Sequence, residues 1–263
     1  MPRSFTYCSA HTLRVKSSGE SNREAWFLTA EEGVLRATVF GGPKSRLRAQ
    51  VAPFHSGKLW IYHDPVRDSR KVNDFDVISY RTGMRELYER VMAADAVAET
   101  ILSSHGSGGG WPAAAKLAGS VLDALNDAGS PALCSRIGVY FLWHWADLLG
   151  VRPDLCACAS CEMELSREEA VWYSSENEAL FCEHCFRNAA ASNTALFDAV
   201  QSNYSTLRVG PGARLWLNEI AALPPTALVR VSLDNPSLEQ ARALSKAVLA
   251  AALGKRLPTW EGI

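Results

Sequence analysis

The sequence predicts an α+β fold, and three features carry that prediction. Apolar and polar residues alternate over the first eighty positions, apolar residues recur at helical spacing from Thr82 onward, and two Cys-x-x-Cys pairs stand twenty residues apart in the second half. The expected architecture is a small N-terminal β-barrel at residues 1–80, then an α-helical bundle domain at 81–263 that carries an inserted cysteine ribbon at 153–190.

The barrel strands come first. Phe5 and Tyr7, then Leu13 and Val15, alternate with polar residues; residues 25–29 are a short apolar run; Gly33 opens a turn before Val34, Ala37 and Val39; residues 59–62 and 77–80 follow. Five or more short strands separated by turns suit a small closed barrel, of which the oligonucleotide-binding (OB) fold is one kind. Trp26, Phe40, Phe54, Trp60 and Tyr62 are the aromatics that either fill such a barrel or stack on bases. Gly41-Gly42-Pro43-Lys44-Ser45 lacks the G-x-x-x-x-G-K-S/T spacing of a phosphate loop, and Pro43 removes an amide that such a loop aims at phosphate. A mobile basic loop between strands is expected there instead.

The helices follow. Leu87, Val91, Ala94, Val97, Ala98 and Ile101 mark one face of a first helix that stops before the glycine-rich residues 106–110. Leu117, Val121, Leu122 and Leu125 mark a second, ended by Gly129; Pro131 starts a third whose apolar stripe runs from Ile137 to Leu149 and ends at Gly150. Trp143 and His144 flank that stripe and read as packing residues, because no carboxylate or second histidine is placed to work with them. Leu196, Phe197, Val200 and Tyr204 suggest a further helix, residues 215–223 another, and Asn235-Pro236 reads as cap and first helical position of a last helix reaching Gly254.

The ribbon is the most specific signal. Cys158 with Cys161, and Cys182 with Cys185, form two knuckles, and the segment between them reads as a hairpin: Val171, Trp172 and Tyr173, a polar turn through Glu176 and Asn177, then Leu180 and Phe181. Four thiolates so spaced complete a tetrahedral shell around zinc. A redox dithiol needs one reactive pair, usually inside a βαβ unit, and a catalytic zinc keeps a position open for water, so one closed structural Zn2+ is expected. Cys156 and His184 are the alternative ligands; Cys8 and Cys134 have no partner in sequence and read as free or buried thiols.

A hydrophobic share of 48% and a charged share of 21% are those of an ordinary globular protein. No apolar run approaches a bilayer span, Met-Pro-Arg-Ser is no secretory signal, and metal-spaced cysteines suit a reducing cytoplasm. The net charge of −1 is unevenly spread, since residues 1–80 carry twelve Lys and Arg against eight Asp and Glu. Arg36, Lys44, Arg46, Arg48 and Lys58 follow one another with no acidic residue between them, which predicts a polyanion-binding surface making sequence-independent phosphate contacts. No H-E-x-x-H, G-x-S-x-G or two-metal carboxylate cluster is present, so no catalytic residue is expected and a nucleic-acid-processing enzyme is the weaker alternative. A zinc-containing DNA-binding regulator is the other alternative. It would set its basic residues on a recognition helix, whereas Glu162, Glu164, Glu168, Glu169, Glu176 and Glu178 make the segment between the cysteine pairs acidic.

The order of these parts resembles the RecO family, bacterial recombination mediators of the RecF pathway. The likeness is carried by Phe27-Leu28-Thr29 with Glu32-Gly33, by Gly41 through Lys44-Ser45-Arg46-Leu47, and by Pro53-Phe54. It continues through residues 141–150, Pro153-Asp154-Leu155 and both cysteine pairs. The resemblance implies an OB barrel, a helical domain and a zinc finger. It also implies binding of single- and double-stranded DNA at the nucleoid, annealing of complementary strands and, with RecR, assistance to RecA in displacing single-strand-binding protein. Two departures stand out: Leu-Gly-Lys-Arg-Leu-Pro-Thr-Trp at 253–260 replaces the family's Lys-Ser ending, and Glu162 stands where a glycine is common.

Overall fold

The computed structural model describes residues 3–42, 44–104, 110–166, 168–191 and 206–263. They divide into two compact units, residues 1–134 with Gly262 and residues 135–261 with Ile263. The helix expected around Leu196 to Tyr204 and most of the glycine-rich run at 106–110 lie outside the described residues.

In the first unit, β1 (Arg3–Ser18), β2 (Asn22–Thr29), β3 (Gly33–Val39), β4 (Ser56–Asp64) and β5 (Ser69–Ser79) close into a barrel in the order β1-β2-β3-β5-β4. This is the five-stranded Greek-key barrel of the OB fold. Neighbours are antiparallel except β3 and β5, which meet in parallel at Thr38 and Lys71. One long strand, β1, serves two partners: its first half pairs with β4 and its second with β2, and register shifts at Tyr7/Ala10 and Thr12/Arg14 let it bend between them. Alternation then sends Ala25, Phe27, Leu35, Ala37, Leu59, Ile61 and Phe75 inward, where Phe27 and Phe75 meet edge to face at 5.8 Å.

The β2–β3 turn explains why Thr29 and Gly33 belong together. Thr29 Oγ1 donates to the Gly33 carbonyl at 3.1 Å and accepts from the Glu32 amide at 3.2 Å, while Gly33 has φ +71°. A Cβ on Gly33 would also stand 2.3 Å from the Trp111 ring, so glycine is required twice over.

Between β3 and β4 the expected mobile loop is corrected in part. Arg46–Gln50 form a short helix, α1, because Leu47 and Val51 pack into the barrel core and anchor it; Lys44 remains in the exposed turn before it. Next, α2 (Tyr88–Ser103) and α3 (Trp111–Asn126) complete the unit. Buried Arg81, itself left-handed at φ +44°, joins the parts. Its guanidinium donates to Asp123 on α3 at 2.8 Å, to the Phe54 carbonyl at 2.5 Å and to Ser56 Oγ at 2.5 Å, and Ser56 meets His11 Nδ1 at 2.6 Å.

In the second unit, α4 (Pro131–Leu148) stacks Phe141 on Trp145 at 5.4 Å and is tied to the segment after α6 (Pro211–Ile220). Arg136 donates to the carbonyls of Val231 and Leu228, Tyr140 to that of Leu223, and His144 Nε2 lies 3.1 Å from that of Ile220. Trp143 is buried, so Trp143 and His144 are the packing residues the sequence suggests. The last helix, α7 (Asn235–Leu253), is capped one residue earlier than expected, by Asp234, whose carboxylate accepts from the Ser237 amide at 2.8 Å. Gly254 at φ +65° ends it. Among the described residues no helix is long and apolar enough to cross a membrane.

The buried imidazole sets a pH dependence. Burial, reinforced by the Arg81 charge, lowers the His11 pKa from 6.5 to about 4. Unfolding therefore takes up a proton between these values, so the stability tied to neutral His11 is present above about pH 6.5 and lost as pH falls towards 4. Urea unfolding of the first unit should lose roughly 3 kcal/mol across this window, and His11→Gln should abolish that part of the slope.

Candidate metal centre and nucleic-acid interface

The ribbon is built on three strands. A hairpin of β6 (Val171–Ser174) and β7 (Ala179–Cys182) forms as expected, and a third strand missed in the sequence, β8 (Thr206–Val209), pairs antiparallel with β6. Four residues are too few for periodicity to reveal. Cys182 ends β7, and Cys185 lies in the first turn of α5 (Glu183–Ala191). Trp172 stacks on Phe186 at 4.2 Å and donates its indole N–H to Glu183 at 2.5 Å, fixing the hairpin to that helix. Buried Arg214 on α6 donates to the carbonyls of Ser166 at 2.7 Å and Leu165 at 3.3 Å, holding the other arm.

This framework brings the sulfurs of Cys158, Cys161, Cys182 and Cys185 within 4.8 Å of one another, all as free thiols. A tetrahedral zinc–thiolate site has sulfur–sulfur edges of about 3.8 Å, so the four can hold a metal ion with slight contraction. Backbone amides already face the sulfurs: Cys182 N–H donates to Cys158 Sγ at 3.3 Å and Cys185 N–H to Cys182 Sγ at 3.4 Å. Burial raises the Cys158 thiol, but amide hydrogen bonds from Cys182, Cys161 and Ser160 outweigh it and bring the pKa down to about 6, whereas burial and the neighbouring thiols push Cys182 and Cys185 up. Cys156 is exposed, and the His184 ring pairs with Asn188 at 2.9 Å; both stay outside the cluster. Cys8 is exposed and Cys134 buried.

The five basic residues lie on β3, in and just before α1, and on β4. Lys44 and Arg46 are exposed and Arg48 half-buried, around and on α1, with no acidic partner among the described residues. Arg23 on β2, overlooked in the sequence, joins them by donating to the Arg48 carbonyl at 3.2 Å. Burial, and then the Arg48 charge, lower the Arg23 pKa. Arg36 stands apart, ion-paired with Glu24 and 5.5 Å above the Trp26 ring. Lys58 lies on β4, 5.0 Å from the Trp60 ring centre. Among the aromatics, Phe54 is buried at φ +69°, Phe40 is half exposed, and Trp26, Trp60 and Tyr62 are partly covered on the outer barrel surface.

Glu162, in place of the common glycine, closes the first knuckle at φ +57°, a left-handed conformation that strains any residue with a Cβ. Glu162→Gly should therefore stabilise the second unit by about 0.5–1 kcal/mol in urea unfolding, net of the entropy glycine adds to the unfolded chain, with the ratio of bound metal to protein unchanged.

Two family models cover most of the chain. Recombination protein O N terminal matches residues 4–81, and Recombination protein O C terminal matches residues 85–200. A search of curated proteins returned no match. The first match spans the OB barrel and the second spans α2 through the four-cysteine ribbon, so the chain belongs to the RecO family of DNA repair and recombination mediators.

Proposed function

We propose that this chain binds single- and double-stranded DNA through its barrel, anneals complementary strands and, with RecR, assists RecA loading on single strands coated by single-strand-binding protein. The barrel at 1–80 is the gripping part, and 81–263 is the helical region that carries the cysteine ribbon. The work belongs in the cytoplasm, at the nucleoid. One observation carries the reading: Lys44, Arg46, Arg48 and Arg23 gather around α1 without an acidic partner among the described residues. Like charges held together are relieved by a polyanion, and neutralising phosphates releases counterions. Screening the repulsion between two bound strands then favours their pairing. That step breaks no covalent bond, so no catalytic group is assigned.

Zinc is the metal we assign to Cys158, Cys161, Cys182 and Cys185, because four thiolates in a tetrahedral cluster suit it and leave no position for substrate. Bound there, the ion cross-links the two knuckles, while the ribbon's own hydrogen bonds orient them.

Replacing Lys44, Arg46 and Arg48 by glutamate should weaken DNA binding and lower the slope of log affinity against log salt by roughly 2–3. An unchanged binding curve would reject this surface, and a strand-annealing assay with and without single-strand-binding protein tests the mediator role. Elemental analysis of purified protein should find about one zinc per chain, and Cys182→Ser should lose it.

A further inference from the structure

The outer surface of β4 has no part in the phosphate grip at α1, yet its side chains are arranged for a different contact. Strand alternation turns Leu59 and Ile61 into the barrel core and sets Lys58, Trp60 and Tyr62 side by side on the outside. Lys58 Nζ lies 5.0 Å from the centre of the Trp60 ring, and Lys71 Nζ, from β5, lies 4.7 Å from that of Tyr62. Carboxylates are at hand, since Asp76 and Asp74 on β5 are the cross-strand partners of Lys58 and Trp60. Even so, neither lysine makes an ion pair among the described residues, and Asp74 accepts from the Phe75 amide at 2.9 Å. On the other flank the partners of Trp60 and Tyr62 on β1 are Thr6 and Ser4, too short to cover an aromatic ring.

The Trp26 cluster on β2 and β3 is different. There two cations, Lys16 and Arg36, lie 5.9 and 5.5 Å from the ring centre, and Arg36 is also ion-paired with Glu24, so that ring is more fully covered. β4 pairs with β1 and β5 and not with β2, so the rings of Trp60 and Tyr62 and the ring of Trp26 stand on non-neighbouring strands of the closed barrel, although Lys71 on β5 pairs with Thr38 on β3.

We infer that Trp60 and Tyr62 form a base-stacking strip for single-stranded nucleic acid, with Lys58 and Lys71 as movable covers. The inference rests on the DNA-binding reading above. An ammonium over a ring is held by a weak attraction that an incoming base face can replace, and the displaced lysine then reaches the adjoining phosphate. Asp74 and Asp76 oppose any close track of phosphates along the same strands. A duplex, whose base faces are hidden, gains nothing here to offset that repulsion; an unpaired strand gains stacking. The strip is therefore selective for unpaired bases and tolerant of their sequence.

The test compares labelled oligothymidylate with a duplex of equal length, by fluorescence anisotropy over a salt series, using the full chain. Trp60→Ala combined with Tyr62→Ala should weaken oligothymidylate binding by roughly tenfold or more, leaving duplex binding and the salt slope as in the parent. Trp60→Phe with Tyr62→Phe should recover most of the loss. Equal loss for both DNAs, or no loss for either, overturns the strip while leaving the α1 grip intact; a parent protein that binds neither DNA overturns both readings. Should the alanine variant unfold, photocrosslinking of 5-iodouracil oligonucleotides to the parent decides: adducts on Trp60 or Tyr62 support the strip, and adducts confined to other residues overturn it.

Discussion

The first unit depends on a buried guanidinium. Arg81 is enclosed, and a buried cation without partners would cost several kcal/mol. Its needs are met by groups from separate parts of the chain: the Asp123 carboxylate on α3, the Phe54 carbonyl, the Ser56 hydroxyl and, more distantly at 3.4 Å, the Gly119 carbonyl. Those acceptors converge when α3 sits at one place on the barrel. His11 adds a second constraint, since its ring would stand 2.8 Å from a Cβ at position 119, and glycine is what allows the approach. Barrel and helix are thus held by polar groups that must be satisfied together, which ties the shape of the barrel to the helix behind it.

On the barrel exterior, what separates one basic residue from another is its partner. Arg36 and Arg70 sit near β3 and β5 with Glu24 and Glu32, so a phosphate approaching them must compete with an existing carboxylate. The cations around α1 have no such competitor among the described residues, and Arg23 is bonded to the Arg48 carbonyl.

The ribbon follows the opposite logic. Its knuckles are set by amides facing sulfur and by Arg214 binding three carbonyls of the arm at Leu165, Ser166 and Glu169, while its surface glutamates leave little reason for DNA to approach. The four cysteines so held can share one metal ion.

Periodicity and spacing made much of this visible in advance. Alternation in β1 to β5, helical stripes in α2 to α4, and the two Cys-x-x-Cys pairs are local patterns, each written within a few turns or strand lengths of chain. Glu162 was seen as a departure, but its left-handed backbone was not. The cap falls on Asp234, one residue before Asn235, and α1 carries too little pattern in its five residues to register. What the chain by itself determined is the identity of its longer elements and of the β6–β7 hairpin, and the four thiols able to share an ion, because those depend on near neighbours in sequence. Tertiary structure alone decided that Arg23 stands by Arg48, that Arg36 is neutralised by Glu24, and that Lys58 and Lys71 rest on Trp60 and Tyr62. These are pairings across strands and between strand and helix, and barrel closure, rather than spacing along the chain, sets which side chains meet.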